Sequence, residues 1–240
     1  GLVGIFDSRD KRPVDPALLR RMNDSISHRG PDGDGIHVSP GIGLGHRRLS
    51  IIDLGGGAQP MYGPGEDIVL VYNGEIYNYQ DLTRELEALG YSFRTQSDTE
   101  VIIHGWDAWG PDCVKRLRGM FAIALYDRRS ETLLLSRDRL GKKPLYYSQL
   151  ADGTLIFGSE LKALMRHPEL PREMDPTSVE DYMALGYVPD PKTIFKHARK
   201  LPQGHNLVIR RGEAARLERY WHLDMTPRNS GSAEDLGQEL

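Results

Sequence analysis

The run Ile68-Val69-Leu70-Val71-Tyr72-Asn73-Gly74-Glu75-Ile76-Tyr77-Asn78 is the most informative segment of the chain. Its apolar first half predicts a buried strand, and Asn73 with Gly74 predicts that the strand ends there in a turn. An amphipathic helix is expected next, over residues 80–89. Such a turn presents a carboxamide and a free backbone N–H together, which are the donors that an oxyanion needs during acyl transfer. The alternative is a turn in which Asn and Gly only shape the backbone.

Outside this segment, strands in hairpins are separated by short helices. Leu2 to Phe6 predicts a buried strand, and residues 14–27 predict a helix. Ser97-Asp98-Thr99-Glu100 has the form of a capping box and predicts a helix that continues to Trp109. Hairpins are expected at three places: 121–126 with 132–135, 145–147 with 155–157, and around Arg211-Gly212. Sequential hairpins with helices between them indicate an α+β fold with antiparallel sheets.

The composition excludes several classes of protein. The chain has 240 residues, 39% hydrophobic residues and a net charge of -3, so it lacks the basic excess of a nucleic-acid-binding protein. No apolar run approaches the roughly 20 residues of a membrane-spanning helix. One cysteine excludes an internal disulfide framework and favours a cytoplasmic location. The eight histidines form no metal-ligand pattern, so no metal site is expected.

Cys113 is predicted to be a buried structural thiol and not a nucleophile. The spacing of Trp106, Trp109, Cys113 and Leu117 is that of one helix face, so the thiol is placed among apolar side chains. Cysteines react when they are accessible and lie in electropositive surroundings, and this pattern predicts neither condition.

A second polar cluster predicts a pocket for a free amino acid. In His46-Arg47-Arg48-Leu49-Ser50-Ile51-Ile52-Asp53, alternation along a strand places Arg48 on the face opposite to Arg47. A guanidinium group fits the α-carboxylate of an amino acid, although a solvated surface arginine is the alternative. Glu75 and Asp98 could bind an α-ammonium group, and helix capping is the alternative for Asp98.

Taken together, these motifs resemble the N-terminal glutaminase domain of glutamine-hydrolysing asparagine synthetases, which are class II amidotransferases with the N-terminal-nucleophile fold. The resemblance extends from Gly1 to Trp221. Besides the segments already quoted, it rests on Gly1-Leu2-Val3-Gly4-Ile5-Phe6, His28-Arg29-Gly30-Pro31-Asp32, Arg137-Asp138-Arg139-Leu140-Gly141, Lys143-Pro144-Leu145-Tyr146-Tyr147, Gly158-Ser159-Glu160-Leu161-Lys162 and Leu201-Pro202-Gln203-Gly204-His205.

The resemblance implies a four-layer αββα sandwich and a glutamine site. It implies that Arg48 binds the glutamine carboxylate, that Leu49, Ile51 and Ile52 form the pocket wall, and that Asn73 and Gly74 form the oxyanion hole. Glu75 and Asp98 match contacts to the substrate ammonium. Arg29 and Asp32 match scaffold around the site, and residues 137–139 match a support for the strand end and the domain interface.

The first position departs from the family pattern. Members of the family begin with a cysteine that attacks the glutamine amide, whereas this chain has Gly1 at its first position. Two interpretations are open: the native protein carries a cysteine before Gly1, or the domain is a degenerate, non-catalytic relative. The intact set Arg48, Asn73, Glu75 and Asp98 favours the first.

The resemblance also implies a division into domains and a set of partners. Residues 1–222 would form the amidotransferase domain, and 223–240 a linker and the start of a synthetase domain. Glutamine is the expected ligand, and no cofactor is expected in residues 1–222. ATP and Mg²⁺ are expected in the synthetase domain, where aspartate or another carboxylate would accept the ammonia. A homodimer is one option for assembly, with no nucleic-acid or membrane partner.

Overall fold

Two antiparallel sheets form the centre of the protein in the computed structural model, which describes residues 1–49 and 57–226. The first sheet has the strand order β10-β8-β9-β1-β3-β2 and the second β12-β11-β7-β6-β5-β4. The strands are β1 Leu2–Asp7, β2 Gly33–Ser39, β3 Ile42–Arg48, β4 Met61–Tyr62, β5 Ile68–Ile76, β6 Gly119–Asp127, β7 Thr132–Arg137, β8 Tyr146–Gln149, β9 Thr154–Gly158, β10 Arg199–Lys200, β11 His205–Arg210 and β12 Arg216–Arg219.

Helices cover the outer face of each sheet. They are α1 Pro16–Asp24, α2 Tyr79–Ala88, α3 Glu100–Trp109, α4 Cys113–Arg116 and α5 Leu161–Leu164. A further helix, α6 Pro176–Leu185, buries only Ser178. Asp15 caps α1, and Pro16 occupies its first turn, where the missing N–H costs nothing. The predicted helices at 14–27 and 80–89 and the three predicted hairpins are confirmed, with shifts of a few residues at the boundaries.

Three apolar clusters separate four layers. Val3 and Ile5 of β1 pack against α1 and α5, whereas Leu2 and Phe6 of the same strand face the second sheet. The other face of that second sheet packs Leu70 and other side chains against α2, α3 and α4. Because side chains alternate along a strand, each central strand contributes to two of these cores. The predicted α+β, αββα sandwich is confirmed.

The predicted turn at Asn73-Gly74 is wrong. β5 continues through both residues to Ile76 and pairs with β6 over its whole length, from Ile68↔Asp127 to Ile76↔Gly119. Gly74 instead allows the backbones of β5 and β6 to approach closely. A Cβ at this position would lie 2.7 Å from Phe121 Cα and would also collide with Met120 O. Glycine therefore lets the strands lie this close together, and the chain turns only after Ile76.

The predicted capping box is also wrong. Thr99 is the N-cap of α3 and makes no side-chain capping bond, while the Ser97 hydroxyl accepts from Thr99 N at 3.2 Å. The Glu100 carboxylate bonds backward to Arg94 N and Thr95 N instead of to Ser97 N. Glu100 thus fixes the loop that precedes Asp98, since three donors from that loop, including the Thr95 hydroxyl, converge on one carboxylate.

Cys113 is buried, as predicted. The helical face around it is interrupted, because Gly110 adopts a positive φ of 58° and Pro111 follows, so α4 is a separate short helix. Burial raises the pKa of the Cys113 thiol to about 12, which leaves the thiol protonated and unreactive. Within the described ranges, no helix combines the length and apolarity needed to cross a bilayer.

Candidate active site

A cavity of about 200 Å³ lies between the two sheets, at the ends of β3 and β5. Every predicted glutamine-binding residue that the structure describes contributes to its lining: Arg48, Leu49, Asn73, Gly74, Glu75 and Asp98. Ile51 and Ile52 lie outside the described residues. Residues far apart in sequence therefore meet in one place.

The edge of β5 supplies backbone donors to this cavity. β4 pairs with Val69 and Leu70, and no other strand among the residues that the structure describes covers the rest of that edge. N–H groups of an antiparallel strand point alternately to its two sides. Tyr72 N donates to the Gln59 side chain at 2.6 Å, and Ile76 N donates to Asp98 Oδ2 at 2.9 Å, so both point to this edge. Gly74 N lies between them in the alternation and points the same way.

The Asn73 carboxamide is a second donor. By alternation along β5, its side chain faces the first sheet, as do those of Val69 and Val71. Asn73 Nδ2 is buried, and it has no hydrogen-bond partner among the described residues. Buried donors are nearly always satisfied, so an unpaired amide at a cavity wall is suited to an acceptor that the protein itself does not supply.

The two arginines at the end of β3 point in opposite directions, as the alternation predicts. Arg47 faces α1, where it donates to Asn23 O at 3.2 Å and pairs with Asp24. Arg48 shares the inter-sheet face with Ile42 and Leu44, and it lines the cavity. Leu49 lies at the cavity mouth with 58% of its surface exposed. Arg48 is therefore placed to meet a carboxylate that enters from solvent.

Two carboxylates, those of Asp98 and Glu75, line the cavity. Asp98 is 5% exposed and accepts hydrogen bonds on Oδ2 from the Tyr72 hydroxyl and Ile76 N, each at 2.9 Å. Burial raises the pKa of Asp98, and these hydrogen bonds partly oppose the rise. Glu75 follows Gly74 on β5 and is half-buried. A cation between these carboxylates would compensate for the desolvation of Asp98.

The N-terminal end of β1 lies beside the same cavity. Gly1 N donates to Arg47 O at 2.6 Å, and Arg47 N donates to Gly1 O at 2.8 Å, so the two residues form a hydrogen-bonded pair. Burial, reinforced by the charges of Arg29 and Lys143, lowers the pKa of the Gly1 amine from 8.0 to about 5. The surroundings of this strand end therefore favour a neutral amine.

Sequence reasoning missed several residues of the cavity. Tyr72, Gln59, His46 and Lys143 all contribute to its lining. His46 is 4% exposed, and burial lowers its pKa to about 3, so the imidazole is neutral. Its Nδ1 has no hydrogen-bond partner within the described part of the chain. Only the position of His46 two residues before Arg48 could have identified it, since both then share a strand face.

The expected scaffold residues stabilise the loops around the cavity. Arg29 lines the cavity and donates to Glu160 at 3.1 Å. Asp138 accepts four backbone N–H bonds, from Phe121, Leu140, Lys142 and Lys143, which closes the loop after β7. Arg137 donates to the carbonyls of Lys143, Gly141 and Leu201. The predicted support of the strand end by residues 137–139 is therefore confirmed.

Comparison with known proteins identifies relatives. The glutamine amidotransferase domain family matches residues 1–221. The glutamine-hydrolysing asparagine synthetase 3 of Bacillus subtilis (strain 168) is 36% identical over 93% of this chain and 37% of its own length. The glutamine-hydrolysing asparagine synthetase B of Escherichia coli (strain K12) is 43% identical over 68% of this chain and 29% of its own length. The chain thus spans about a third of the length of these relatives.

Solved structures agree on the fold. The glutamine phosphoribosylpyrophosphate amidotransferase of B. subtilis superposes with a TM-score of 0.66 and 20% identity, over 92% of this chain and 49% of that one. This likeness supports the four-layer sandwich described above. With the family match and the relatives above, the chain belongs to the glutamine amidotransferase domain family and, within it, resembles the amidotransferase part of the glutamine-hydrolysing asparagine synthetases.

Proposed function

We propose that this chain is the glutaminase domain of an asparagine synthetase-like enzyme, which hydrolyses glutamine to glutamate and ammonia. The relatives named as glutamine-hydrolysing asparagine synthetases support the assignment. The cavity supports it independently, because it brings together a cation, two carboxylates and two oxyanion donors. Those groups suit the carboxylate, the ammonium and the amide carbonyl of glutamine.

The observation that carries the proposal is the register of β1 against β3. Gly1 pairs with Arg47, and Leu2 pairs with His46. A residue that precedes Gly1 would therefore lie opposite Arg48. Its side chain would share the face of Leu2, which points between the sheets. A cysteine at that position would project toward the cavity that Asn73 lines.

The reaction follows from this placement. The thiolate attacks the side-chain amide carbon of glutamine, and the carbonyl π electrons move onto oxygen. Asn73 Nδ2–H and Gly74 N–H donate to this oxyanion. When the oxyanion collapses, the C–N bond breaks, and the departing nitrogen takes a proton and leaves as ammonia. Water then attacks the thioester, the C–S bond breaks, and glutamate and the thiol are released.

The cysteine's own α-amino group would act as the base. An α-amine has an ordinary pKa of about 7.7–8.0. Burial and the charges of Arg29 and Lys143 lower the pKa of the Gly1 amine, and the same surroundings would act on the amine of a residue one position earlier. A neutral amine at physiological pH can accept the thiol proton and return it to the departing nitrogen.

The acceptor of ammonia would lie in sequence beyond this domain. We propose that a C-terminal synthetase domain, which would hold ATP and Mg²⁺, uses the ammonia to amidate aspartate. The greater length of the relatives supports this division. Another carboxylate acceptor is the alternative, and a competition between aspartate and other acids in the full-length protein distinguishes them.

The test uses the chain with one cysteine placed before Gly1 and, as the matched control, the same chain with alanine there. Glutamate release from L-glutamine is measured for both. The proposal expects turnover from the cysteine form and none from the alanine form, while both bind glutamine. Binding without turnover in the cysteine form would contradict the glutaminase assignment and favour a non-catalytic relative.

A further inference from the structure

Tyr72 links two parts of the cavity. It lies on β5 with 3% of its surface exposed, and its ring packs beside Gly74, where a Cβ would come within 2.9 Å of Tyr72 Cε2. Its hydroxyl donates to Asp98 Oδ2 at 2.9 Å. One side chain therefore contacts both the oxyanion glycine and the carboxylate on the ammonium side.

We propose that Tyr72 is a positioning residue for substrate recognition, whose hydroxyl orients Asp98 toward the α-ammonium group of glutamine. The inference rests on the proposed function and extends it to a residue that does not itself contact the amide. Tyr72 O–H and Ile76 N–H converge on one carboxylate oxygen, so both torsions of the Asp98 side chain are fixed from β5.

The hydrogen-bond donors that hold Asp98 support a role for its carboxylate in binding a cation, as a comparison with Asp127 illustrates. Buried Asp127 is held by the guanidinium of Arg129, with Nε 3.1 Å from Oδ1, and by Trp106. That arginine neutralises the carboxylate. The two donors on Asp98 Oδ2, a phenol and a backbone amide, are neutral, so they fix the carboxylate without cancelling its charge. The negative charge remains for a ligand.

The hydroxyl also affects the ionisation of Asp98. Burial raises the pKa of Asp98, and the Tyr72 hydrogen bond lowers it. The Tyr72 pKa is raised well above its ordinary value by burial and by Asp98, so the phenol stays protonated and remains a donor. The other titratable groups that line the cavity are Arg29, His46, Arg47, Arg48, Glu75 and Lys143. Loss of the hydroxyl should raise the Asp98 pKa further. As the pH is lowered, glutamine binding should therefore begin to weaken at a higher pH in a variant without the hydroxyl than in the parent chain.

The test compares Tyr72→Phe with the parent chain. Phenylalanine keeps the ring beside Gly74 and removes only the hydroxyl. Calorimetry measures the affinity for L-glutamine and for its desamino analogue, 4-carbamoylbutanoate, which keeps the carboxylate and amide but lacks the ammonium group. We expect about tenfold weaker binding of glutamine, equivalent to about 1.4 kcal/mol, and unchanged binding of the analogue.

Tyr126→Phe is the matched control. Tyr126 is a buried tyrosine of the neighbouring strand β6, lies outside the cavity lining, and has its hydroxyl 3.5 Å from Arg211 Nη2. This variant should bind both ligands as the parent does. In an Asp98→Asn background, Tyr72→Phe should cause no further loss, because the two residues act through one contact.

The outcomes separate the two proposals. If the parent binds glutamine and Tyr72→Phe binds it equally well, the role of Tyr72 is overturned and the proposed function stands. Equal weakening of glutamine and the analogue also overturns the role, since general packing loss would then be the cause. If the parent binds no glutamine, the proposed function fails first and the inference fails with it.

Discussion

Asp98, which lines the cavity, and Asp138, which bonds to the backbone of the cavity residue Lys143, are two buried aspartates that differ in how their carboxylates are satisfied. Asp138 is 1% exposed, and each of its oxygens accepts two backbone N–H bonds from its own loop and β6. Asp98 is 5% exposed, and the Tyr72 hydroxyl and Ile76 N–H both bind its Oδ2. Asp138 is fully bonded within the protein, whereas burial raises the pKa of Asp98.

This difference separates a structural from a functional polar residue. A fully bonded carboxylate holds a loop, and a ligand has nothing to add to it. A carboxylate that is desolvated but held by neutral donors gains from a bound cation. Asn73 Nδ2, which is buried and unpaired among the described residues, is the corresponding donor. The unpaired buried amide of Asn73 and the desolvated carboxylate of Asp98, held by neutral donors, are the groups that our proposal assigns to glutamine binding.

The largest expected effect is on stability at the structural site. Asp138→Ala leaves four backbone N–H groups without their acceptor. At roughly 1–3 kcal/mol for each unsatisfied group, the free energy of unfolding should fall by about 4 kcal/mol or more. Chemical denaturation measures it. Asp98→Ala, the comparison variant, should cost less stability, and an equal cost would remove the distinction.

The next effect is on catalysis. In the chain with cysteine before Gly1, Asn73→Ala should slow glutamine hydrolysis by about 10²–10³-fold, which is the usual loss for one oxyanion donor. Stability should change little, because Asn73 Nδ2 has no partner within residues 1–49 and 57–226 to lose. Steady-state kinetics checks the rate. Unchanged turnover would remove Asn73 from the oxyanion hole.

A smaller effect is expected on substrate affinity. Arg48→Met should raise KM for glutamine by about 10–100-fold, since a charge-assisted hydrogen bond contributes roughly 1.5–3 kcal/mol. Arg47→Met is the comparison variant: Arg47 also borders the cavity, but its guanidinium pairs with Asp24 on the α1 side and not with a ligand. Equal effects of the two substitutions on KM would contradict the assignment of the carboxylate to Arg48.

The smallest effect concerns pH. Lys143 lowers the pKa of an amine at the start of β1. Lys143→Met should raise the pKa of the catalytic amine, which must be neutral to act as a base. The acidic limb of the pH profile of kcat/KM should therefore lie at a higher pH in the variant than in the parent. The shift should be a fraction of a pH unit, because burial is the larger cause. Lys142→Met, which lies in a neighbouring groove, should leave the profile of kcat/KM unchanged.

The sequence was sufficient where a local rule, such as the alternation of side chains along a strand, determines which face a side chain occupies. Alternation along β3 predicts that Arg47 and Arg48 face opposite sides, and the contacts of Arg47 with α1 agree. The hairpins and the α+β class followed from strand runs and turn residues in the same way, whereas the four αββα layers were implied only by the family resemblance. The burial of Cys113 was predicted from helical spacing, although the helix is broken at Gly110.

The sequence was insufficient where contacts with residues distant in sequence determine the local structure. Asn73-Gly74 has the composition of a turn, but pairing with β6 extends the strand through it, and only that pairing explains the glycine. Ser97 and Glu100 match a capping box, yet Arg94 and Thr95 bind Glu100 instead. Tyr72 read as one more apolar strand residue, because its hydroxyl acquires a role only when the loop at Asp98 folds over β5.

Calorimetric titration with L-glutamine, D-glutamine and 4-carbamoylbutanoate tests the central claim most directly. The cavity should recognise both the carboxylate and the ammonium of an L-amino acid. The chain with alanine before Gly1 should bind L-glutamine at one site, bind the other two at least tenfold more weakly (about 1.4 kcal/mol), and lose this preference in Asp98→Asn. Equal affinity for all three ligands, or no binding of L-glutamine, would contradict it.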